Sequence, residues 1–297
     1  MNHKRTIVIT GANSGLGYLC AENIAQKSHD YAIVLACRNG EKAEKAKNQL
    51  IENTGNPNIY SMVLDVASME SVREFAQQFK NRNFSPLYGI ICNAGINGMH
   101  TGITCDGFDI VFQTNHLGHF LLTHLMLPYM SQDGRIVIVS SDMHNPPGGE
   151  LVWQGTDALA YPEDKTAFNR YSFSKLCNLY FTYELDKKLK EASSGITVNA
   201  FNPGLMTDTN FAPKARFTED FLNSVSDRIG SLERSAMAMS EMMTESQYQQ
   251  VTGKYFDRGV ERKSSPLSYN TENTSELWNK SIQYTKLAQS ETLSGLI

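Results

Sequence analysis

Thr10-Gly11-Ala12-Asn13-Ser14-Gly15-Leu16-Gly17 is a glycine-rich stretch near the start of the chain, directly after the β-branched residues 6–9. The residues before it predict a strand, and the apolar spacing after it predicts a helix. Glycine permits a tight turn between the two, and the start of a helix offers backbone N–H groups and a favourable dipole to an anion. The stretch therefore predicts a site for the pyrophosphate of a dinucleotide, with a strand–helix connection that binds no ligand as the alternative.

Short apolar runs alternate with helical patterns along the rest of the chain. The runs are residues 6–10, 31–36, 59–64, 88–92, 135–139 and 196–200. Strands that are apolar on both faces are typical of a parallel sheet covered by helices on each side. The pattern predicts an α/β protein with a doubly wound Rossmann fold, in which helices cover both faces of a mostly parallel central sheet of about seven strands.

A single domain over residues 1–297 is expected, because no linker, internal repeat or low-complexity tract divides the chain. Three segments lack a regular pattern: residues 142–168, residues 204–229 and a C-terminal tail, residues 257–297. Long irregular segments usually carry substrate contacts, so the first two are predicted substrate loops. In the tail, Asn273-Thr274-Ser275-Glu276 resembles a capping box and predicts a helix that begins at Asn273.

Composition narrows the class of protein. The 297 residues are 41% apolar, and the net charge of −4 comes from interspersed acids and bases, so no basic surface for nucleic acid or an anionic membrane is expected. The five cysteines are far apart and form no Cys-x-x-Cys pair, which favours a reducing compartment. The most apolar stretch, residues 120–130, is much shorter than the roughly 20 residues that span a bilayer. We expect a cytoplasmic protein.

Tyr171 and Lys175 stand four residues apart in Tyr171-Ser172-Phe173-Ser174-Lys175. On a helix both lie on one face, where the Lys175 ammonium favours phenolate and is expected to lower the pKa of Tyr171 from its free value of about 10. Such a phenol exchanges a proton near neutral pH, and beside a dinucleotide the proton accompanies a hydride from a nicotinamide. The spacing also occurs by chance on many helices, so its weight depends on the other motifs.

Arg38 stands about twenty residues after the glycine-rich stretch, at the end of the second predicted strand. An NAD-binding protein usually has an Asp or Glu there, against the ribose hydroxyl, and this chain has none. A guanidinium matches a phosphate in geometry and charge. The position favours NADPH/NADP+ over NAD as the cofactor, with a solvated Arg at a strand end as the alternative.

Taken together, these motifs resemble the short-chain dehydrogenase/reductase family over residues 5–205. They occur in the family's order: residues 10–17, Asn93-Ala94-Gly95, Asn115, Ser141 and Tyr171-x-x-x-Lys175. Further segments are similar to the retinol-dehydrogenase-like and protochlorophyllide-reductase-like branches. These are Cys37-Arg38, Thr114-Asn115-His116-Leu117-Gly118-His119-Phe120, Ser174-Lys175-Leu176-Cys177-Asn178 and Leu277-Trp278.

The resemblance implies four catalytic residues. Tyr171 would protonate a carbonyl oxygen as hydride arrives, and Lys175 would hold the nicotinamide ribose and lower the pKa of Tyr171. Ser141 would donate a hydrogen bond to the same oxygen, since the family pattern puts the reactive Ser second in Ser140-Ser141. Asn115, inside a long predicted helix, would support the water that links Lys175 to solvent.

The resemblance also implies the cofactor contacts, with Asp65 at the adenine and residues 93–95 at its ribose. The expected set is Gly11, Asn13, Ser14, Gly15, Leu16, Gly17, Arg38, Asp65, Val66, Asn93, Ala94, Gly95, Tyr171, Lys175, Pro203, Gly204, Thr207 and Thr209. One position departs from the family: a Thr or Ser usually lies four residues after Gly204, where this chain has Asp208. Thr207 and Thr209 flank that position and are expected to replace it.

Apolar residues in the two predicted substrate loops indicate the kind of substrate. Leu151, Trp153, Leu205, Met206 and Phe211 are expected to form a largely apolar pocket over the nicotinamide, at the carboxyl ends of the strands. A hydrophobic carbonyl or alcohol is therefore the expected small-molecule substrate, in preference to a small charged one.

Two further patterns concern metals and partners. His116 and His119 share a helix face, but no third ligand is evident nearby, so packing or hydrogen bonding is favoured and no metal is expected. The helices predicted over 109–130 and 168–190 are apolar on more than one face. A second apolar face would suit a partner subunit, which suggests a homo-oligomer.

The sequence thus favours an NADPH-preferring oxidoreductase that interconverts a carbonyl and an alcohol. One alternative is reduction of a C=C bond in a tetrapyrrole, as in protochlorophyllide reductase, which Cys177 would suit; the interval between Ser141 and Tyr171 lacks the longer insertion associated with that enzyme. A second alternative is a non-catalytic dinucleotide sensor, against which the intact Ser141, Tyr171 and Lys175 argue.

Overall fold

A computed structural model describes residues 4–82, 84, 86–163, 169–209 and 211–297. Within these residues, eight strands form one sheet. They are β1 (Arg5–Thr10), β2 (Tyr31–Cys37), β3 (Ile59–Val63), β4 (Leu87–Cys92), β5 (Met130–Val139), β6 (Thr197–Asn202), β7 (Lys254–Asp257) and β8 (Val260–Arg262). Their order across the sheet is β3-β2-β1-β4-β5-β6-β7-β8, and only the pairing of β7 with β8 is antiparallel. The predicted mostly parallel, doubly wound sheet is confirmed.

The edge hairpin formed by β7 and β8 was not predicted from the sequence. The six apolar runs correspond to β1 to β6, whereas β7 and β8 are only four and three residues long. Arg258 and Gly259 join them, both with positive φ (52° and 87°), and this pair lacks the Asn-Gly or Asp-Gly signal of a two-residue turn. The predicted tail, residues 257–297, therefore begins inside the sheet.

The described residues form ten α-helices. They are α1 (Gly15–Lys27), α2 (Gly40–Thr54), α3 (Met69–Asn81), α4 (Ile110–Phe112), α5 (Gly118–Met126), α6 (Thr156–Ala160), α7 (Arg170–Glu191), α8 (Glu219–Ser224), α9 (Leu232–Thr244) and α10 (Thr271–Thr285). Alternate residues of β1 enter opposite layers: Ile7 and Ile9 pack with α1, α2 and α9, and Val8 packs with α3, α5, α7 and α10. Helices therefore cover both faces of the sheet, as predicted.

The helix predicted over 109–130 contains a π-helical turn, Gln113–Leu117, between α4 and α5. Gly118 begins α5 and packs so closely that a Cβ there would overlap the carbonyl oxygen of Val66. Such wide turns within helices are frequent at functional sites, and this one carries Asn115. The other long helix begins at Arg170; its predicted start at Phe168 lies outside the described residues.

The helix in the tail begins earlier than predicted. Its N-cap is Asn270, whose side chain accepts a hydrogen bond from Asn273 N at 2.9 Å. The predicted capping box was wrong because Glu276 is engaged elsewhere: its carboxylate accepts from Trp153 Nε1 at 2.8 Å and from Thr156 N at 2.7 Å. A carboxylate with these partners is not available to cap its own helix.

The tail covers the second apolar face of the two long helices. The Trp278 ring lies edge-on to Phe120, with 5.3 Å between centroids. His116 Nε2 lies 2.9 Å from Ser281 Oγ, and His124 Nδ1 lies 2.9 Å from Thr292 Oγ1. The predicted homo-oligomer was argued from this face being open, but the chain's own tail occupies it. The oligomeric state stays a prediction.

Two expectations from composition concern location. In the described part of the chain, no helix is both long and apolar enough to cross a membrane. All five cysteines are free thiols, and four of them are buried. The cytoplasmic location stays a prediction.

Candidate active site

A cavity of about 1020 Å³ opens at the carboxyl ends of the strands. The strand order reverses between β1 and β4, and an open α/β sheet binds its ligand at such a switch point. Residues that follow β1, β2, β4, β5 and β6 all line the cavity. The fold therefore brings sequence-distant motifs to one site.

The glycine turn forms one wall of this cavity. Gly11 and Gly15 have φ of +66° and +57°, a region that L-residues rarely adopt. A Cβ on Gly17 would lie 2.6 Å from Asn93 Nδ2 and 2.9 Å from the Gly11 carbonyl oxygen. The glycines are therefore needed for the turn and for its close approach to residues 93–95.

Thr10 is a hydrogen-bonding centre to which the sequence analysis gave no role of its own. Its Oγ1 accepts from Asn93 N at 2.9 Å and from Ala94 N at 2.8 Å, and it lies 2.9 Å from His119 Nε2. Burial lowers the pKa of His119 to about 4, so the imidazole is neutral. His119 thus serves in hydrogen bonding, the use that the sequence favoured, and links β1 to the helix that carries Asn115. In the sequence, the only sign of a role for Thr10 was that it belongs to the glycine-rich stretch.

The far end of the cavity carries Arg38 and Asp65. Arg38 follows β2 and is exposed, and in the described part of the chain its guanidinium has no ion-pair partner. Asp65 Oδ1 accepts from Ala67 N at 2.9 Å, while Asp65 N donates to Ser71 Oγ at 3.0 Å. Asp65 is therefore held rigidly, whereas Arg38 is available to an anion.

Lys175 and the two serines converge at the end of β5. Lys175 Nζ donates to the Val139 carbonyl at 3.0 Å and lies 5.5 Å from the centre of the Tyr171 ring. Ser140 Oγ donates to the Lys175 carbonyl at 2.8 Å, so this hydroxyl is committed to the backbone. Ser141 instead has its hydroxyl beside Tyr171 as a hydrogen-bond partner. Of the two serines, Ser141 is the one placed for the role that the family pattern implies.

The pKa of Tyr171 shifts opposite to the direction expected from sequence. Burial raises it above its ordinary value, more than the hydrogen bond with Ser141 lowers it, and the nearby Asp142 carboxylate raises it further. Burial also lowers the pKa of Lys175 to about 8. The sequence argument considered the Lys175 charge alone and omitted desolvation, which has the larger effect on the pKa of this phenol. Tyr171 is therefore a protonated acid at neutral pH.

Asn115 does not line the cavity but braces its wall. Its Oδ1 accepts from Ile96 N at 2.8 Å, and its Nδ2 donates to the Ile96 carbonyl and to Ser174 Oγ, each at 2.9 Å. A Cβ on Gly95 would approach Asn115 Oδ1 to 3.1 Å. The π-helical turn thus ties residues 93–97 to α7, on which Tyr171 and Lys175 lie.

A covering segment, residues 205–209 and 211–228, forms the outer wall. Its two ends meet where Leu205 N donates to the Arg228 carbonyl at 2.8 Å, and Asn97 Nδ2 holds the Phe211 carbonyl at 2.7 Å. The Phe211 ring centre lies 5.7 Å from that of Tyr171. The residues of this segment that line the cavity are Leu205, Met206, Asp208, Thr209, Phe211, Arg216, Phe221, Val225 and Arg228.

The predicted substrate pocket was only half right. Leu205, Met206 and Phe211 line the cavity, but Leu151 is buried in the core and Trp153 packs edge-on to Tyr180, 5.3 Å between centroids. Trp153 Nε1 donates a hydrogen bond to the Glu276 carboxylate, so the indole lies against the tail and does not line the cavity. From the first predicted loop, the residues that line the cavity are Asp142, Met143 and Pro147. Residues 164–168 of that loop lie outside the described residues.

Most predicted cofactor contacts come together in this cavity. Those that line it are Gly11, Asn13, Ser14, Gly15, Leu16, Arg38, Asp65, Val66, Asn93, Ala94, Gly95, Tyr171, Lys175, Pro203, Gly204 and Thr209. Gly17 lies behind the turn, and Thr207 is not among the lining residues. Of the two threonines beside Asp208, only Thr209 is in position, and its hydroxyl donates to the Met206 carbonyl at 3.0 Å.

Comparison with known proteins gives a consistent set of similarities. Residues 5–152 match the family model of short chain dehydrogenases. Retinol dehydrogenase 13 of Mus musculus is 31% identical over 98% of this chain and 86% of its own length. The WW domain-containing oxidoreductase of Gallus gallus is 38% identical over 68% of this chain, and the match spans about half, 49%, of that protein. The crystal structure of an uncharacterized protein from Mycobacterium paratuberculosis has a TM-score of 0.73 and 30% identity over 96% of this chain and 94% of that chain.

Proposed function

The chain belongs to the short-chain dehydrogenase/reductase family, as an oxidoreductase of the retinol-dehydrogenase-like branch, and on that premise we propose that it interconverts a carbonyl and an alcohol by hydride transfer with NADPH. One observation carries the proposal: Ser141, Tyr171 and Lys175 converge on the cavity whose other wall is the glycine turn. A protonated phenol on the cavity wall, opposite the start of a helix that suits an anion, is suited to delivering a proton where a dinucleotide delivers a hydride.

The cavity residues fit a nicotinamide dinucleotide. Gly11 and Gly15 have positive φ and line the cavity beside the start of α1, where the first backbone N–H groups of a helix have no partner within it, and Arg38 adds an exposed cation. When bound, the dinucleotide supplies the hydride. We propose NADPH rather than NADH, because a guanidinium suits a phosphate while the ribose-binding carboxylate of NAD proteins is missing at this position.

The chain's own residues supply the proton and hold the reactants. Tyr171, kept protonated by burial, is the proposed acid for the carbonyl oxygen, and Ser141 is the proposed second donor to that oxygen. Lys175, with a pKa of about 8, stays mostly charged at pH 7 and is proposed to hold the nicotinamide ribose. Asn115 is proposed to position Tyr171 and Lys175 through Ile96 and Ser174.

The outer half of the cavity supports a hydrophobic substrate. Ile96, Met143, Leu205, Met206 and Phe211 supply apolar surface there. We therefore propose an apolar aldehyde or ketone, or the corresponding alcohol.

The alternative with a C=C bond as substrate loses its main support. Cys177 would have to reach the substrate, but the thiol is fully buried in α7 and is not among the residues that line the cavity. The sensor alternative predicts cofactor binding without turnover, which activity measurements distinguish directly.

The test is NADPH consumption by the purified chain, followed at 340 nm, against a panel of aldehydes, ketones and quinones of increasing apolar size. We expect turnover that improves with apolar size, and slower turnover with NADH. The reverse reaction with NADP+ and the matching alcohol checks that the product is an alcohol. Tight NADPH binding with no turnover across the panel would refute the proposal and favour the sensor.

A further inference from the structure

One ion pair joins the covering segment to the end of β5. Arg228 Nε donates to Asp142 Oδ2 at 2.5 Å, and the two side chains are only 20% and 29% exposed. Among the described residues, no other ion pair connects residues 205–209 and 211–228 to the remainder of the chain. Arg228 also supplies the carbonyl that Leu205 N binds, so it stands where the two ends of the segment meet.

The second oxygen of the same carboxylate binds the proposed second donor. Ser141 Oγ donates to Asp142 Oδ1 at 3.1 Å and accepts from Met143 N at 3.1 Å. A serine hydroxyl has one proton and two acceptor positions. The position of Asp142 therefore sets the direction in which the Ser141 O–H points.

These contacts form a continuous chain from the covering segment to the catalytic residues. We propose that Asp142 and Arg228 are positioning residues: Arg228 holds the covering segment closed by binding Asp142, and Asp142 in turn directs the Ser141 hydroxyl. The part that concerns Ser141 rests on the proposed function, whereas the part that concerns the covering segment does not. Asp142 immediately follows the serine pair, and Arg228 lies 86 residues later, so only the fold brings them together.

Hydrogen exchange of the full chain tests the hold on the covering segment. Asp142→Asn keeps an oxygen for Ser141 but removes the charge that Arg228 binds, and Arg228→Met removes the cation. We expect amide exchange in residues 205–228 to become about three- to tenfold faster in each variant, the effect of a partly shielded pair. The double variant should be no faster than either single variant, because both changes remove the same contact.

Lys280→Met is the matched control. It also removes the cation of an ion pair, with Asp157, but that pair joins α6 to α10 and does not involve the covering segment. Exchange in residues 205–228 should be unchanged in this variant. Thermal denaturation of each variant checks that the fold is retained.

Steady-state kinetics with an apolar aldehyde tests the hold on Ser141. Asp142→Asn and Asp142→Ala both break the pair with Arg228, but only Asp142→Ala removes the acceptor for the Ser141 hydroxyl. In the structure the one Ser141 proton lies on Asp142, so it must turn away from Asp142 to reach the substrate oxygen. We expect both variants to raise KM to a similar extent, and only Asp142→Ala, which frees that proton for the carbonyl, to raise kcat, by about two- to tenfold. A purely structural role would affect kcat equally in the two variants.

Each outcome decides one part of the proposal. Unchanged exchange in Asp142→Asn and Arg228→Met would overturn the role in holding the covering segment. Equal kcat values for Asp142→Asn and Asp142→Ala would overturn the role in directing Ser141. If the wild-type chain turns over no carbonyl, the proposed function fails and the Ser141 role with it, while the exchange data still decide whether the pair holds the segment.

Discussion

Replacing Arg38 with Ala should weaken the binding of NADPH and leave that of NADH nearly unchanged. Arg38 is exposed and has no ion-pair partner in the described part of the chain, so its removal breaks no ion pair there. A charge-assisted contact to a phosphate is worth about 1.5–3 kcal/mol, and solvent exposure places Arg38 at the lower end. About 1.5–2 kcal/mol corresponds to roughly a ten- to thirtyfold higher Kd for NADPH.

Fluorescence titration of both cofactors measures this difference. Arg262→Ala is the control, since Arg262 is also exposed but lies in β8, away from the cavity. Arg38→Asp should go further and favour NADH, because a carboxylate there can bind the ribose hydroxyl. If Arg38→Ala changes both cofactors equally, or neither, the assignment of Arg38 to the phosphate is refuted.

Three further predictions concern the packing that supports the site. Gly17→Ala should lower stability by about 1–3 kcal/mol and weaken NADPH binding, because the added Cβ would collide with Asn93 Nδ2 and the Gly11 carbonyl oxygen. Thermal denaturation with and without NADPH measures both effects. A variant as stable as the wild type would contradict this close approach. Burial lowers the pKa of His116 and of His124 to about 3 in the folded chain. Between that value and pH 6.5, the unfolded chain therefore binds more protons than the folded chain does. The free energy of unfolding then falls as pH falls, by about 1.4 kcal/mol per pH unit for each proton. Urea unfolding between pH 7.5 and 4.5 should show this loss, to which His119, whose pKa burial lowers to about 4, also contributes. A slope as steep in the His116→Gln/His124→Gln double variant as in the wild type would contradict the assignment to these two residues. Trp153→Ala should destabilise the fold by up to about 3 kcal/mol, because it removes the contact with Glu276. It should leave KM within twofold. A large rise in KM at normal stability would indicate that Trp153 does line the substrate pocket.

The sequence predicted those parts of the site that depend on local spacing. The glycine turn and the pair of Tyr171 and Lys175 depend on residues close in the chain, and their placement follows from strand–turn–helix geometry. The alternation of apolar runs was sufficient for the parallel sheet, and parallel connectivity then brings the strand ends to one edge.

The rest depends on contacts between distant residues or on burial. Trp153 was assigned to the pocket because its partner, Glu276, lies 123 residues away and its interaction is not visible in the sequence. The pKa of Tyr171 was expected to fall because the sequence shows a nearby Lys but not how deeply the phenol is enclosed. Similarly, the apolar second face of α7 was assigned to a partner because a sequence does not show that α10 returns to cover it.

The central claim is that Tyr171 gives up the proton in a hydride-transfer reaction, and Tyr171→Phe tests it most directly. The substitution keeps the ring against Phe211 and removes only the hydroxyl. With NADPH and the best carbonyl substrate of the panel, we predict a loss in kcat of at least about a hundredfold, the usual contribution of a general acid, while the Kd for NADPH stays within a few-fold. A variant that retains more than a tenth of the wild-type kcat would contradict the account.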